Sequence, residues 1–217
     1  MTDTRRDRLR SARLYLVCDA RSDEFLESVL RGGVDVVQLR MKDARAEEIL
    51  AVAARYKPAC AAHGALFVVN DRPELAVAAG ADGVHLGQDD MPVEAARQIL
   101  GDARLIGLST HSPAQVDAAA AARCDYIGVG PVNETPTKPG RPAVGLALVE
   151  YAAAQAPVPF FAIGGISSAN VEEVLAAGAT RVAVVRALTE AGDPEAVAGA
   201  LRASLSGSVQ ETGVGAA

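Results

Sequence analysis

Eight short apolar runs, separated by alanine-rich stretches with helical spacing, constrain the fold of this chain more than any other feature. They consist mainly of valine, isoleucine and leucine. Strands of this kind alternating with helices are typical of a parallel sheet covered by helices. The runs are LYLVCD at 14–19, VDVVQL at 34–39, ALFVVN at 65–70, DGVHL at 82–86, RLIGLS at 104–109, DYIGVG at 125–130, PFFAIG at 159–164 and RVAVV at 181–185.

Eight such units within 217 residues indicate one domain with a sizeable core. We therefore predict an α/β fold, a single-domain (β/α)8 TIM barrel over residues 1–205, with an open doubly wound sheet as the alternative. The segment 206–217, SGSVQETGVGAA, has no periodic apolar face, so we expect it to be a flexible tail.

The composition limits the partners and the compartment. A net charge of -6 argues against a nucleic-acid-binding surface but allows a local basic pocket for a small anion. The arginine-rich start, TRRDRLRSAR, is expected to be a solvated arm or a first helix without a function of its own. The chain contains no apolar stretch long enough to span a bilayer, and its first residues lack the continuous apolar segment of a secretory signal, so we expect neither a membrane span nor secretion.

The three cysteines, Cys18, Cys60 and Cys124, lie far apart in the sequence without metal-ligand spacing. Each is in or beside an apolar run, which predicts small buried residues. Free thiols fit a reducing compartment, so we expect a cytoplasmic protein. The sequence gives no indication of the oligomeric state.

Polar side chains cluster where the predicted strands end, which is the functional face of a barrel. After strand two, in QLRMK, alternation places Gln38, Arg40 and Lys42 on one side of the chain. Two cations and an amide there suit a polyanionic ligand. The alternative is a solvent-exposed strand end whose charges only increase solubility.

Acidic residues follow strands three and four. VVNDRP and VHLGQDDMP bring Asn70, Asp71, Asp89 and Asp90 to adjacent strand ends. Carboxylates placed so close repel each other, and Mg²⁺ commonly binds one or two of them together with substrate phosphates. With Arg40 nearby, the cluster suggests a magnesium-bound pyrophosphate. The alternative is that Asp71 and Asp90 only cap the helices that follow.

Histidine and serine residues near strand ends are further candidates. His85 projects at the end of strand four, where a polar contact or a catalytic role is one interpretation. Ser109 ends strand five and offers a hydroxyl for direct contact with a substrate. His63 is expected to be structural, and His111 to lie in a loop before a helix capped by Ser112. A later helix candidate, SSANVEEVLAAGA at 167–179, begins with serines that are candidates to cap it.

The loop VGPVNETPTKPGRPAVG, at 129–145, follows strand six and combines fixed backbone geometry with hydroxyls and a cation. Thr135, Thr137 and Lys138 can approach an anion from it. Strand seven ends in AIGGIS, whose glycine amides suit a phosphate, and strand eight ends beside Arg186. Together these three strand ends predict the phosphate site that barrels commonly have there.

With these motifs considered together, the chain resembles the thiamine phosphate synthase family over nearly its whole length. The family pattern comprises QLRMK-like spacing, ND after strand three, HLGQDD after strand four, a serine after strand five, TPTK and IGGI, all in this order here. The resemblance implies a transferase that joins a pyrimidine diphosphate to a thiazole phosphate, or to its carboxylated form, by a dissociative route.

The resemblance also implies a role for individual residues. Those implied to bind magnesium are Asp71 and Asp90. Those implied to contact the pyrimidine pyrophosphate are Gln38, Arg40, Lys42, Asn70, Ser109 and Lys138. Those implied to hold the thiazole phosphate are Thr135, Thr137, Gly165, Val185 and Arg186. We expect Lys138, Arg40 and Ser109 to act in catalysis.

At two positions the chain departs from the family pattern. Many members carry serine in place of Arg186 and a bulky apolar or aromatic residue in place of Asn133. The nearest alternative functions are a thiazole tautomerase of the same barrel family and a phosphosugar isomerase or aldolase barrel. From another class comes a noncatalytic sensor of a thiamine precursor, which would not need aligned substrate sites and a metal.

Overall fold

The computed structural model describes residues 4–135 and 142–207, which form alternating strands and helices. The strands are β1 (Leu14–Cys18), β2 (Val36–Leu39), β3 (Leu66–Asn70), β4 (Gly83–Leu86), β5 (Leu105–Thr110), β6 (Tyr126–Val129), β7 (Phe160–Ile163) and β8 (Val182–Val184). The helices are α1 (Thr4–Ser11), α2 (Asp23–Arg31), α3 (Ala46–Ala62), α4 (Pro73–Ala78), α5 (Val93–Leu100), α6 (Pro113–Ala122), α7 (Gly145–Gln155), α8 (Val171–Ala176), α9 (Arg186–Thr189) and α10 (Pro194–Gly207).

The eight strands pair in chain order and close on themselves, since β8 pairs with β1. All pairs are parallel, and Leu16 lies opposite Val184 where the barrel closes. The predicted TIM barrel is therefore confirmed, and the open sheet is wrong. Each predicted strand overlaps an observed one because its apolar run is buried on both faces, which is the pattern of a parallel sheet covered by helices.

Aromatic rings fill the middle of the barrel interior. Phe161 packs edge-on against the rings of Tyr15 and Tyr126, with centroids 5.2 and 5.7 Å away. Space for one ring comes from Gly107 on the neighbouring strand, because a Cβ atom there would lie 2.1 Å from Cζ of Tyr126. Above this layer, towards the carboxyl ends of the strands, the interior becomes polar.

The amino end of the barrel is closed by α1. Leu9 and Ala12 pack into the interior apolar cluster, while two arginines pair with buried carboxylates at the strand starts. Arg5 Nε lies 3.0 Å from Asp82 Oδ1, and Arg6 Nε lies 2.8 Å from Asp125 Oδ1. The arginine-rich segment is thus a first helix, and its charges are partly buried in ion pairs.

Local signals for helix ends had mixed outcomes. Ser112 caps α6, as predicted, because its side chain accepts the N–H of Gln115. At α8 the serines were expected to cap, but the N-cap residue is Asn170. The last helix continues to Gly207 and so includes the first two residues of the predicted tail, whose remaining residues 208–217 lie outside the described part of the chain.

Two further expectations concern burial and the membrane. Cys18, Cys60 and Cys124 are buried and unpaired, as predicted. Burial raises the pKa of the Cys60 thiol to about 12, so this thiol stays protonated at neutral pH. In the described ranges, no helix is both long and apolar enough to cross a bilayer.

Candidate active site

A cavity of about 680 Å³ opens at the carboxyl ends of the strands. It is lined by every predicted site residue that the structure describes: Gln38, Arg40, Lys42, Asn70, Asp71, Asp90, Ser109, Thr135, Gly165, Val185 and Arg186. Thr137 and Lys138 belong to residues 136–141, which lie outside the described residues. Strand ends far apart in sequence therefore meet at one site.

Asp71 and Asp90 form an acidic pair in this cavity. Asp71 follows β3 with φ of 62°, in the left-handed region, and its N–H donates to the His85 carbonyl. Oδ2 of Asp90 accepts the Gly87 N–H at 2.7 Å, and the two carboxyl groups are hydrogen-bonded to each other. Neither aspartate is an N-cap residue, so capping alone does not explain them.

The protonation of this pair reflects its crowding. Burial, followed by the hydrogen bond and negative charge of Asp90, raises the pKa of Asp71 to about 6. The positive charges of Lys42 and Arg40 act in the opposite direction, and Lys42 Nζ lies 3.8 Å from Asp71 Oδ2. Two adjacent carboxylates whose negative charges repel each other are a donor set that a hard divalent cation fits.

No group of three or more histidine, cysteine or acidic side chains positioned for a metal occurs in the described part of the chain. Two carboxylates suffice for Mg²⁺ only if substrate oxygens and water complete the coordination. Arg40 and Lys42 stand on the same side of the cavity as the acidic pair. The arrangement therefore suits a metal bound together with a polyphosphate.

The first half of a hydrogen-bonded chain crosses the barrel above its apolar floor. The Tyr15 hydroxyl donates to Oε1 of Gln38 at 2.9 Å, and Nε2 of Gln38 donates to Oδ1 of Asn70 at 2.6 Å. Gln38 is almost fully buried, and its amide is held from both sides. Two predicted substrate contacts are thus connected to each other and to an unpredicted tyrosine.

The second half of the chain leads to Ser109. The hydroxyls of Tyr15 and Tyr126 are 2.9 Å apart, and the Tyr126 hydroxyl lies 3.3 Å from Nδ1 of His85. Nε2 of His85 lies 3.0 Å from Oγ of Ser109. Gln88 supports the same strand end, since its Nε2 donates to the Ser109 carbonyl at 2.6 Å. His85 therefore makes the polar contacts that its strand-end position suggested.

Glycines and two asparagines shape the turn after β7. Gly164 has φ of 113°, and a Cβ atom there would lie 2.5 Å from Cα of Pro131, so the loop after β6 packs directly on this turn. Asn133 Nδ2 donates to the Gly164 carbonyl at 3.4 Å. Asn170 Nδ2 donates to the Gly165 carbonyl at 2.8 Å, and its Oδ1 accepts the Ser167 N–H.

Arg186 begins α9 at the rim of the same cavity. Its Nη1 lies 3.9 Å from Oε2 of Glu190, and both side chains are largely exposed. Elsewhere on the rim, His111 contacts the Gly130 carbonyl through Nδ1 and so joins the ends of β5 and β6. A guanidinium and the glycine turn therefore lie on the side of the cavity where a phosphate was predicted.

Comparison with known proteins agrees with this geometry. A sequence model described as thiamine monophosphate synthase matches residues 14–188, a span that includes all eight strands. The chain belongs to the thiamine monophosphate synthase family. The family and the enzyme class predicted from the motifs are thereby confirmed.

Members of the thiamine monophosphate synthase family resemble the chain closely. A thiamine-phosphate synthase of Thermobifida fusca is 54% identical, with 94% of this chain and 97% of the relative covered. One from Thermosynechococcus vestitus is 52% identical over 87% of this chain, which spans 54% of that longer relative. A solved thiamine phosphate pyrophosphorylase from Pyrococcus furiosus superposes with a TM-score of 0.84 at 31% identity, with 94% and 98% covered.

Several cavity residues of this family member were not predicted. Tyr15, Tyr126 and Gln88 all line the cavity, as does Glu190. Strand alternation could have found the tyrosines, because each occupies an inward position in an otherwise aliphatic strand. Gln88 stands within the HLGQDD motif. Nothing in the sequence near Glu190 distinguishes it from an exposed helix residue.

Proposed function

We propose that this chain joins 4-amino-2-methyl-5-pyrimidinylmethyl diphosphate to a thiazole phosphate, or to its carboxylated form, giving thiamine phosphate and pyrophosphate. The observation that carries the proposal is the Asp71–Asp90 pair beside Lys42, which suits a metal-bound pyrophosphate. The named activities of the relatives support it. A tautomerase would have no use for a metal and pyrophosphate site.

On the pyrimidine side, we assign the ring to the amides and hydroxyl of the polar chain and the diphosphate to the cations. Gln38, Asn70 and Ser109 would contact the ring. Arg40 provides a planar fork and Lys42 a mobile charge for phosphate oxygens. Asp71 and Asp90 would hold Mg²⁺, which when bound would neutralise charge on the pyrophosphate leaving group.

On the thiazole side, we assign the phosphate to the strand ends of β6, β7 and β8. Thr135, Gly165, Val185 and Arg186 would hold it, together with Thr137 from the undescribed loop segment. We assign Lys138, from the same segment, to the pyrophosphate, which departs with the electrons of the C–O bond. The thiazole nitrogen then captures the pyrimidine methylene cation, so the protein contributes positioning and charge stabilisation.

We also propose that residues 1–205 are the catalytic domain, followed by a tail at 206–217. The three buried free thiols support a location in the reducing cytoplasm. The acidic net charge of -6 supports small-molecule partners over nucleic acid.

A turnover assay tests the function. Purified protein is incubated with Mg²⁺ and both substrates, and thiamine phosphate and pyrophosphate are measured together. We expect equal amounts of both products, with production lost in the double variant Asp71→Asn, Asp90→Asn. Asp117→Asn, an exposed aspartate on α6 that accepts from Tyr151, is the matched control and should keep full activity.

Three other outcomes would contradict the proposal. Isomerisation of the thiazole phosphate without condensation would indicate a tautomerase. Tight binding of both substrates without product would indicate a sensor. Full turnover in the presence of a chelator would reject the metal assignment while leaving the condensation in place.

A further inference from the structure

We propose that Tyr15, Tyr126 and His85 are positioning residues that transmit one direction of hydrogen bonding from Gln38 across the barrel to Ser109, and so decide which polar groups the cavity offers to a heterocyclic ring. In this direction Gln38 and Asn70 offer N–H donors, while Ser109 offers an acceptor. These groups select a ring with acceptor nitrogens and an exocyclic amino group. The inference rests on the proposed function, in which the ligand is a pyrimidine.

The direction is set at Gln38. An amide oxygen only accepts, so the Tyr15 hydroxyl must donate to Oε1 of Gln38, 2.9 Å away. A phenol has a single proton, and the Tyr15 oxygen must therefore accept from the Tyr126 hydroxyl, also 2.9 Å away. Burial raises the pKa of both phenols, so neither loses its proton near neutral pH.

The donor and acceptor roles of Tyr126, His85 and Ser109 follow from the same reasoning. Because the proton of Tyr126 is engaged with Tyr15, the Tyr126 oxygen accepts from Nδ1 of His85 at 3.3 Å. A neutral imidazole protonated at Nδ1 has its lone pair at Nε2, so the Ser109 hydroxyl donates to it across 3.0 Å. With its proton engaged, Ser109 can only accept a hydrogen bond from a ligand.

At the other end of this hydrogen-bonded network, Gln38 and Asn70 offer donors to a ligand, whereas Ser109 offers an acceptor. Nε2 of Gln38 donates to Oδ1 of Asn70 at 2.6 Å, so this oxygen already has a donor. The N–H groups of Asn70 Nδ2 are then the donors that Asn70 can offer a ligand, and Gln38 retains its second N–H. Two donors and one acceptor on opposite sides of the barrel match an aminopyrimidine, whose ring nitrogens accept and whose amino group donates.

The reverse direction predicts a different ligand. If the amides of Gln38 and Asn70 were both flipped, the proton of His85 would move to Nε2. Ser109 would then donate a hydrogen bond to a ligand, and Asn70 would accept one. That set fits a 4-oxo pyrimidine, which has a ring N–H and a carbonyl. The tautomer of His85 therefore indicates the direction of every hydrogen bond in the network from Asn70 to Ser109.

The direction can be measured without any ligand. ¹⁵N NMR of histidine-labelled protein, at a pH where the imidazole is neutral, distinguishes the two tautomers, and the chain has only 3 histidines to assign. His63→Gln and His111→Gln identify the other two signals. We expect His85 to be protonated at Nδ1. Protonation at Nε2 would overturn the proposal, whatever the outcome of the turnover assay.

Selectivity tests the consequence for binding. Calorimetry with Mg²⁺ compares unreactive pyrimidinylmethyl diphosphonates that carry a 4-amino or a 4-oxo group. We expect the amino compound to bind about 100-fold more tightly to the unchanged chain, since a mismatch leaves polar groups unpaired at both Ser109 and Asn70. Tyr126→Phe separates His85 from Tyr15, so the preference should fall at least tenfold.

Tyr56→Phe is the matched control, because Tyr56 is a buried tyrosine with hydrogen bonds outside the cavity. It should retain the preference, and thermal unfolding would show whether either variant loses stability. Equal preference in the two variants would overturn the positioning role even if Tyr126→Phe is less stable. Failure of both compounds to bind would reject the proposed function, while the NMR result would still decide the direction of the hydrogen bonds.

Discussion

The Tyr126 ring occupies the space that Gly107 leaves on the neighbouring strand. A Cβ atom at Gly107 would lie 2.1 Å from Cζ of that ring, far inside normal contact distance. The absence of one side chain on β5 therefore allows an aromatic side chain on β6 to reach the centre of the barrel. Both strands are buried, so neither can move aside without disturbing its neighbours.

Gly107→Ala should therefore destabilise the protein by about 2 kcal/mol or more, since overpacking a rigid core forces rings off their positions. Urea unfolding measures the free energy of unfolding. Gly199→Ala is the matched control: this glycine lies inside α10 with open space around it, so alanine should stabilise by up to about 1 kcal/mol. Similar effects at the two positions would argue against tight packing around Tyr126.

Asp71→Asn should stabilise the metal-free protein while removing one of the two carboxylates of the proposed metal site. The folded pKa of Asp71 is raised from 3.8 to about 6, so its contribution to stability is greatest below pH 3.8 and is lost as the pH rises through about 6. With a chelator present, the variant should gain about 1 kcal/mol over the parent between pH 4 and 7, a figure reduced for partial solvent exposure. Unfolding curves across this range measure the gain, and a constant difference would contradict it.

Asp82→Asn should cost about 3 kcal/mol, because it removes a buried charge and leaves the partly exposed Arg5, Arg8 and Lys57 without their shared counter-charge. Burial alone would raise the pKa of Asp82, but hydrogen bonds from Lys57, the Phe67 N–H and Arg5 hold it below 3.8. The stabilisation is therefore complete above pH 3.8 and is lost as the pH falls through the lower folded value. Acid unfolding should be less steep in the variant, whereas the exposed Asp102→Asn should change stability by less than about 0.5 kcal/mol.

Asn170→Ala should weaken binding of the thiazole phosphate. Its side chain donates to the Gly165 carbonyl and accepts from the Ser167 N–H, so alanine removes both bonds that order this turn. Two such bonds correspond to roughly tenfold in KM for the thiazole phosphate. Steady-state kinetics should show no change in KM for the pyrimidine diphosphate, and the exposed Ser168→Ala should behave like the parent. An equal rise in both KM values would contradict a local effect.

The barrel was predictable because its strands are apolar throughout. For example, β3 (Leu66–Asn70) is buried on both faces until its last residue, so its run stands out in the sequence. The acidic pair was also predictable, since Asp71 and Asp90 follow adjacent strands. In both cases, chain order alone brings the relevant residues together.

The polar chain could not be predicted in the same way. Tyr15 and Tyr126 are 111 residues apart, and their contact depends on ring packing and on the space left at Gly107. The N-cap residue of α8 differed from the predicted serines for a similar reason. Asn170 donates a hydrogen bond to the carbonyl of Gly165, which precedes the helix in a turn with positive φ. The nearby serines in the sequence do not indicate this backbone conformation.

The closure of the amino end by α1 has a kinetic consequence. Arg5 and Arg6, paired with Asp82 and Asp125, help to close one end of the barrel, so we expect ligands to enter and leave past the carboxyl ends of the strands. Both substrates and both products then pass through the same opening of the cavity. Because Gln38 is almost fully buried, a ring bound beside it as proposed would lie deepest. We therefore expect ordered addition with the pyrimidine diphosphate first, and inhibition by thiamine phosphate that is competitive with it.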